Sequence, residues 1–420
     1  VAGTLRYTTP QLALLFFWLL GGDFGWDLKD RAVPPTLQIL LRSHVSDFLV
    51  GVIIVTLPRG LSVLVYPIVG YISDRHRSRR GRRLPFIAAL IPISVVAAWG
   101  LAWSRSVTLL CIFWALFEVT NLATNSLFLG LVADVVPKPV AGRFFGLFRV
   151  VALAAAILFN LYLLSRVEAH SGAVFIGVGI VYGLCFTLLC CTVKEGKYPP
   201  PGPAAAGGRG RVAAAIAFYA RHCFSRRFYV LIFLAVATGN MALVPINTYV
   251  YSYAHALGMP LSTLGRSFAI QLFLSLIQAV PIGWLCDKFH PLRIMMLGSV
   301  LYGLSALVFF YVTHGAPSFF AANILCGTFS GFWFTAAAPL GMRLFPRAHF
   351  AAFDGAMRLS IALGTMLIGP ACGLFLDHAH HDYRYVFLWT AAASAASLAL
   401  TAAVYCDFRR LGGLANYEAP

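Results

Sequence analysis

The sequence predicts an all-α membrane protein, with twelve transmembrane helices in two pseudo-symmetric six-helix bundles. Three observations carry that expectation. Only 11% of the 420 residues are charged, 60% are hydrophobic and the mean hydropathy is +0.79. A water-soluble chain of this size needs far more charge to cover its surface. Continuous apolar runs of about 20 residues recur along the whole length, each able to cross ~30 Å of hydrocarbon as a helix. They do not alternate as the strands of a membrane barrel must. Finally, the two halves of the chain echo one another.

The runs fall at 11–38, 47–73, 84–104, 107–134, 144–165, 172–193, 228–254, 260–286, 292–313, 317–342, 354–376 and 385–406. The first is read as a span and not a cleavable signal, because it leads into the acidic stretch "GGDFGWDLKDR" without a small-residue cleavage site. An even number of spans puts both termini on one side. With the termini in the cytoplasm, 24 of the 32 Lys and Arg residues fall in cytoplasmic loops and tails or just inside the adjoining span ends, as Arg149, Arg293 and Arg358 do. Four (Arg42, Arg105, Arg166, Arg384) fall in outer loops and four (Lys29, Arg31, Arg59, Arg266) within spans. That is the positive-inside pattern. It assigns "RHRSRRGRR" (75–83) to the short cytoplasmic connection between spans 2 and 3. Nucleic-acid binding is disfavoured, since the net charge of +17 is spread over membrane loops and not gathered on one soluble face.

Between spans 6 and 7, "KEGKYPPPGPAAAGGRGR" has the proline, glycine and basic content of an exposed linker. The expected organisation is a bundle over 1–193, a cytoplasmic linker over 194–227 and a second bundle over 228–420. "RVAAAIAFYARHCFSRRFYV" within and just beyond the linker is read as a helix lying on the membrane surface.

The halves repeat. Gly70-Tyr-Ile-Ser-Asp74-Arg75 returns as Gly283-Trp-Leu-Cys-Asp287-Lys288, and "PKPVAGRFFGLFR" (137–149) as "PRAHFAAFDGAMR" (346–358). Two similar halves around a midplane cavity are the architecture of a rocking secondary transporter.

A charge at mid-helix costs at least ~2.5–3.5 kcal/mol, so each one needs a reason. Counted from the cytoplasmic ends at about 1.5 Å per residue, Asp23, Asp27, Arg59 and Glu118 share one depth near the midplane. Asp23, Asp27 and Asp30 lie on one helix face, as do Glu118, Asn121 and Asn125. An ion pair of Arg59 with Asp23 or Asp27 would neutralise one carboxylate. The remaining acid is easier to tolerate with one carboxyl protonated, which is what proton coupling requires. Sodium is the rival ion. Lys29, Asp30 and Arg31 precede the helix-breaking Pro34-Pro35 and are read as interfacial, the basic side chains snorkelling to water.

In the second half the interior polar residues are neutral: Asn240, Asn247, Gln271, Ser275, Gln278 and Asn323, with Trp333. Amides and an aromatic face suit a polyhydroxylated ligand. Hydrogen bonds between helices are the competing use for each of them. "DHAHHD" (377–382) lies in an outer loop and is read as solvated, not as a metal cluster. Gly177, Gly179 and Gly183 suit close helix packing, and the nine cysteines are read as small hydrophobes. No metal or cofactor is expected. The expected partners are the lipid bilayer and a small-molecule solute, with the chain a monomer.

The Gly-x-x-x-Asp-Arg/Lys motifs after spans 2 and 8, the twelve spans and the central loop together resemble the major facilitator superfamily over essentially the whole chain. "PIVGYISDRHRSRRGRRLPFI" (67–87) is similar to the helix 2–3 signature of proton-coupled sucrose transporters and the related glycoside–pentoside–hexuronide symporters. The shared pieces are Pro67 to Tyr71, Ser73 to Arg75, Ser78-Arg79, Gly81 to Arg83 and Pro85 to Ile87. In "FWALFEVTNLATNSLFLGLVAD" (113–134), Glu118, Asn121 and Asp134 hold the places of those transporters' membrane-buried aspartate, the asparagine three residues on and the later Ala-Asp.

The resemblance implies that Glu118 is the proton-coupling carboxylate. It also implies that Gly70, Asp74, Arg75, Arg79, Arg82, Arg83, Asp134, Arg143, Asp287 and Lys288 form gating contacts between the rocking halves, with simple helix-end capping as the alternative for Asp74 and Asp287. It implies a proton-coupled sugar or glycoside symporter of the cell membrane working by alternating access. A sodium-coupled symporter, or an exporter of another small organic solute, is the alternative within transport. A membrane-embedded transferase is the alternative from another class, and the repeated halves give it no support.

Overall fold

The computed structural model describes residues 7–78, 80–137, 140–196, 223–346, 350–417 and 419. Among them the chain is helical, apart from loops and one isolated bridge between Ser78 and Gly81. The helices are α1 (Thr9–Leu41), α2 (Asp47–Gly51), α3 (Leu57–Arg75), α4 (Leu84–Trp103), α5 (Val107–Val135), α6 (Ala141–Leu158), α7 (Val167–Thr192) and α8 (Arg227–Ala256). They continue with α9 (Leu261–Phe289), α10 (Pro291–Val312), α11 (Ala316–Ala337), α12 (Leu340–Leu344), α13 (Phe350–His378), α14 (Tyr385–Arg410) and α15 (Gly413–Asn416). Arg79 and most of the expected surface helix in the linker lie outside the described residues, as does the side chain of Asp74.

Ten helical stretches among the described residues are long and apolar enough to cross a membrane. One of them, Arg143–Thr192, runs 50 residues. At about 1.5 Å per residue that is roughly 75 Å, twice a bilayer core. It holds two spans, because a π-turn at Phe159–Leu163, a 3-10 turn at Leu164–Arg166 and non-helical torsions at His170 break it midway. The first expected span, α1, is absent from the ten: its three aspartates, Lys29 and Arg31 dilute an otherwise apolar helix. Pro34-Pro35, read as helix-breaking, do not end it; α1 continues to Leu41, beyond the expected 38. The two prolines instead leave the carbonyls of Asp30 and Arg31 without their usual N–H donors.

The chain divides into two compact units, Val1–His44 with Gly60–Ala204, and Val45–Arg59 with Ala205–Pro420. The segment 45–59, expected in the first bundle, packs with the second unit. The reason is local. Gly51, Gly369 and Gly373 let the start of the second span approach α13 backbone to backbone, and Thr56 Oγ1 donates to the Met366 carbonyl at 2.7 Å.

In the first unit, Leu19, Phe128, Tyr182, Phe186 and Leu189 form the core. Gly22 and Gly25 bring α1 onto α7, while Gly179 and Gly183 seat α7 on Trp99 and Val95 of α4. In the second unit, Tyr229, Phe233, Trp333, Phe345 and Phe353 form the core. Many of the exposed side chains are large and apolar, Val280 at 80% and Leu367 at 71% among them.

One buried polar residue at a helix junction gives a pH prediction. His290, between α9 and α10, has φ +77°, is 5% exposed, and its Nδ1 accepts the Leu292 N–H at 3.3 Å. Burial, with Arg343 and Arg293 nearby, pushes this imidazole from 6.5 down to about 4. The unfolded chain therefore binds a proton that the native one refuses, and stability falls as pH drops from 6.5 toward 4, then levels off. The loss is at most about 3 kcal/mol. His290→Asn keeps a cap acceptor and tolerates positive φ. Thermal unfolding in detergent should show the wild type, and not this variant, losing stability across that interval.

Candidate functional site

The sequence-predicted acidic face of α1 is buried in the first unit. Asp23 is fully enclosed and neither carboxylate oxygen has a hydrogen-bond partner; Asp27 is 5% exposed. The structure corrects the reading of Lys29. It does not snorkel: it is 0% exposed, with its ammonium 3.8 Å from the centre of the Tyr182 ring and 5.2 Å from that of Phe117. Nζ has no hydrogen-bond partner. Cation–π attraction offsets part of the cost of holding an ammonium there. Asp30 and Glu118 lie close enough to act on it electrostatically.

The helix register differs correspondingly. Asn121 Nδ2 donates to Asp30 Oδ1 at 3.0 Å, and Phe117 lies against Lys29. The Glu118 turn of α5 is therefore level with Lys29 and Asp30, further along α1 than Asp23 and Asp27. The depth count, which takes the cytoplasmic ends of the helices as level, does not show this register. Glu118 and Asn121 are both 5% exposed, and Asn121 Oδ1 is left without a donor. Thr124 and Tyr182 close the cluster with a 3.3 Å hydroxyl contact. Asn125 is half-buried. Arg59 lies in the second unit and is exposed, so the cation that shares this interior in the first unit is Lys29.

In the second unit most of the polar residues proposed for ligand recognition serve packing. Asn323 donates to Ser267 Oγ at 2.6 Å and Gln278 to the Thr328 carbonyl at 2.7 Å, tying α9 to α11. Gln271 lies against Gly327 on the same contact. Asn240 bonds back to Val236 in its own helix at 2.9 Å. Trp333 is 2% exposed, flat on Gly239 in the core and not on a cavity wall. Asn247 is exposed.

The gating residues form two local locks. Arg82 reaches both oxygens of Asp134 at 2.7–3.1 Å, and Arg83 Nε donates to the same carboxylate at 2.8 Å. Sequence reasoning missed Glu195. Its carboxylate accepts the backbone N–H groups of Arg82, Arg83 and Leu84 at 2.7–2.9 Å, capping α4. Gly81, with φ +112°, makes the turn that brings them there. In the second unit Arg343 donates to Asp287 at 2.6 Å, and Lys288 lies over the Trp284 and Phe289 rings. Gly70 and Arg75 end α3, and Arg143 is exposed at the start of α6.

The "DHAHHD" loop is less solvated than its composition suggests. Asp377 accepts the N–H groups of Asp47 and Phe48 at 2.9 and 3.0 Å, and His381 Nδ1 lies 2.8 Å from Asp47 Oδ2. No signal in the sequence joins residues so far apart.

Comparison with solved structures finds the same fold. A bacterial homologue of the human lysosomal transporter Spinster, in an inward-facing and unoccupied conformation, superposes with TM-score 0.73 at 14% identity, over 96% of this chain and 99% of that one. The nucleoside transporter NupG gives 0.71 at 13% identity, over 94% and 99%. A variant of the peptide transporter POT gives 0.74 at 14% identity, over 97% and 96%. The family model of the Major Facilitator Superfamily matches residues 13–277 and 248–411. With a helical architecture of membrane-spanning length and a family match over nearly all of its residues, the chain belongs to the Major Facilitator Superfamily and is a multi-pass membrane transporter rather than an enzyme.

Proposed function

We propose that the protein is a proton-coupled symporter of a sugar or glycoside, with Glu118 as the carboxylate that carries the coupling proton and Lys29 as the cation that helps it leave. The observation that carries this reading is the buried group of Lys29, Asp30, Glu118 and Asn121. With Glu118 ionised, the ammonium has two carboxylates near it; with Glu118 protonated, Asp30 alone holds it. The proton on Glu118 thus decides how Lys29 is shared, and a charge rearrangement of that kind inside a packed unit can bias alternating access. Lys29 takes the role that sequence reasoning gave to Arg59. Asp23 and Asp27 are further proton acceptors on the same helix. The sugar class rests on the resemblance of residues 67–87 and 113–134 to sucrose and glycoside symporters, and on Asn247, which offers an exposed amide. The working arrangement is a monomer in the cell membrane with both termini cytoplasmic, supported by the distribution of basic residues.

A sodium-coupled reading is favoured by one observation: Pro34-Pro35 release the Asp30 and Arg31 carbonyls in the same stretch of α1 that carries Asp27 and Asp30, and carbonyls at a helix break coordinate sodium together with carboxylates. Uptake of labelled sugars into proteoliposomes, with proton and sodium gradients imposed separately, distinguishes the two. Accumulation is expected under an inward proton gradient and should collapse with a protonophore. Accumulation driven by sodium alone would transfer the coupling to that ion. Failure of every sugar with either gradient would overturn the substrate class.

A further inference from the structure

We propose that Asp47, Asp377 and His381 form a binding site for a divalent cation of the zinc class, where α2 begins and α13 ends in the second unit. One ligand atom from each lies within 4.8 Å of the others. His381 Nδ1 is 2.8 Å from Asp47 Oδ2 and 3.9 Å from Asp377 Oδ1. Tetrahedral ligands about 2.0–2.2 Å from zinc stand about 3.3–3.6 Å apart, so the triad reaches bonding geometry with shifts of about an ångström. His381 is the side chain free to adjust, being 56% exposed, while Asp47 is only 6% and Asp377 20% exposed.

The charge balance also favours a cation. Two largely buried carboxylates face one imidazole, and the arginine of the same loop, Arg384, is already held by Asp382 at 2.7 Å. An imidazole nitrogen with two carboxylate oxygens suits zinc, cobalt or manganese, whereas magnesium and calcium select oxygen alone. The surroundings behave as a supporting shell. Tyr383 donates to the other oxygen of Asp47 at 3.2 Å, and the Asp47 and Phe48 N–H groups orient Asp377.

An independent feature points to a hydrated guest. A cavity of about 290 Å³ opens on His381, Tyr383, Tyr253 and Thr313. The hydroxyls of Tyr253 and Thr313 are buried, their residues 3% and 0% exposed, and they face one another with no further partner. A three-ligand cation keeps at least one water. Water carried by the ion has room here and would give these hydroxyls a partner beyond each other.

The test uses the full chain, purified in detergent without an affinity tag and stripped with chelator, then titrated with zinc, and with cobalt for its absorption spectrum. One zinc per chain and a cobalt spectrum showing nitrogen and oxygen ligation are expected. His381→Gln should weaken zinc binding at least about tenfold, as should Asp47→Asn, while His378→Ala and His380→Ala should not. Glutamine at 381 can still donate to Asp47 from an exposed position, so that variant decides the matter if Asp47→Asn fails to fold. A wild-type protein that takes up no zinc, or His381→Gln binding as tightly as wild type, would overturn the proposal and leave a hydrogen-bonded clasp only.

Discussion

Glu118→Gln is expected to abolish uphill accumulation of substrate while sparing exchange of substrate across the membrane. The amide has nearly the same shape, so α5 should pack unchanged, but it can neither take up nor release a proton. If Glu118 couples the proton, the carrier is locked in the equivalent of its protonated form. It can then reorient with substrate in either direction, and labelled solute equilibrates without concentrating. The accumulation ratio in proteoliposomes should fall to about one, with counterflow retained within roughly threefold of wild type. Lys29→Met isolates the other half of the pair. Its chain fills the slot between Tyr182 and Phe117 without a charge, so ionised Glu118 loses the ammonium near it and proton release is the step that slows. A loss of even ~1.4 kcal/mol there is a tenfold slower net uptake. Counterflow should again survive. Proton-driven uptake by Glu118→Gln at the wild-type level would remove that residue from the mechanism. Equal damage to exchange and accumulation in Lys29→Met would reduce Lys29 to a packing role.

The spans and the repeated halves were legible because apolarity over about 20 residues is a property of the local sequence, and the loop motifs recur in it verbatim. The interior of the first unit was legible only in part. A lysine beside two prolines ordinarily sits where it can reach water, and that general rule hid Lys29. The sequence did hold a counter-signal: Gly22, Gly25 and Lys29 share one helix face at i, i+3 and i+7. Small residues mark the side on which helices touch, and that side is where Tyr182 and Cys185 pack. Glu195 was not legible at all. It belongs to a basic, proline-rich stretch, and its capping role depends on the positive φ of Gly81, more than a hundred residues earlier. The second unit shows the opposite failure. Gln278, Asn323 and Trp333 look like ligand groups in sequence, yet the backbone of a close α9–α11 contact and the slot over Gly239 use them first. Residue type tells what a side chain can bond to, and only the fold tells which partner arrives.

Asp134→Asn should be the most destabilising single change among the contacts that hold the loop between α3 and α4, which Asp134 reaches from the end of α5. Asp134 is 14% exposed and the two arginines that share it, Arg82 and Arg83, are 18% and 13% exposed. Removing its charge leaves two guanidinium groups facing a neutral amide that can accept with one oxygen only. Breaking a fully buried pair this way costs about 3–5 kcal/mol. Some water reaches this one, so about 2–3 kcal/mol is expected, read as a lower unfolding temperature and a shorter half-life in detergent. Glu195→Gln should cost less, about 1–2 kcal/mol, because the amide keeps one acceptor for the α4 cap and loses the other. Both carboxylates hold Arg82 and Arg83, Asp134 by their side chains and Glu195 by their backbone, with Leu84 added. Their effects should therefore not add: once Asp134 has released the arginines, the turn at Gly81 is free to fray and the cap has less to hold. A double variant as unstable as Asp134→Asn alone would place both residues in one lock. Full additivity would make them separate devices, and a wild-type half-life for Asp134→Asn would mean that the arginine cluster is held by its aqueous surroundings and not by this carboxylate.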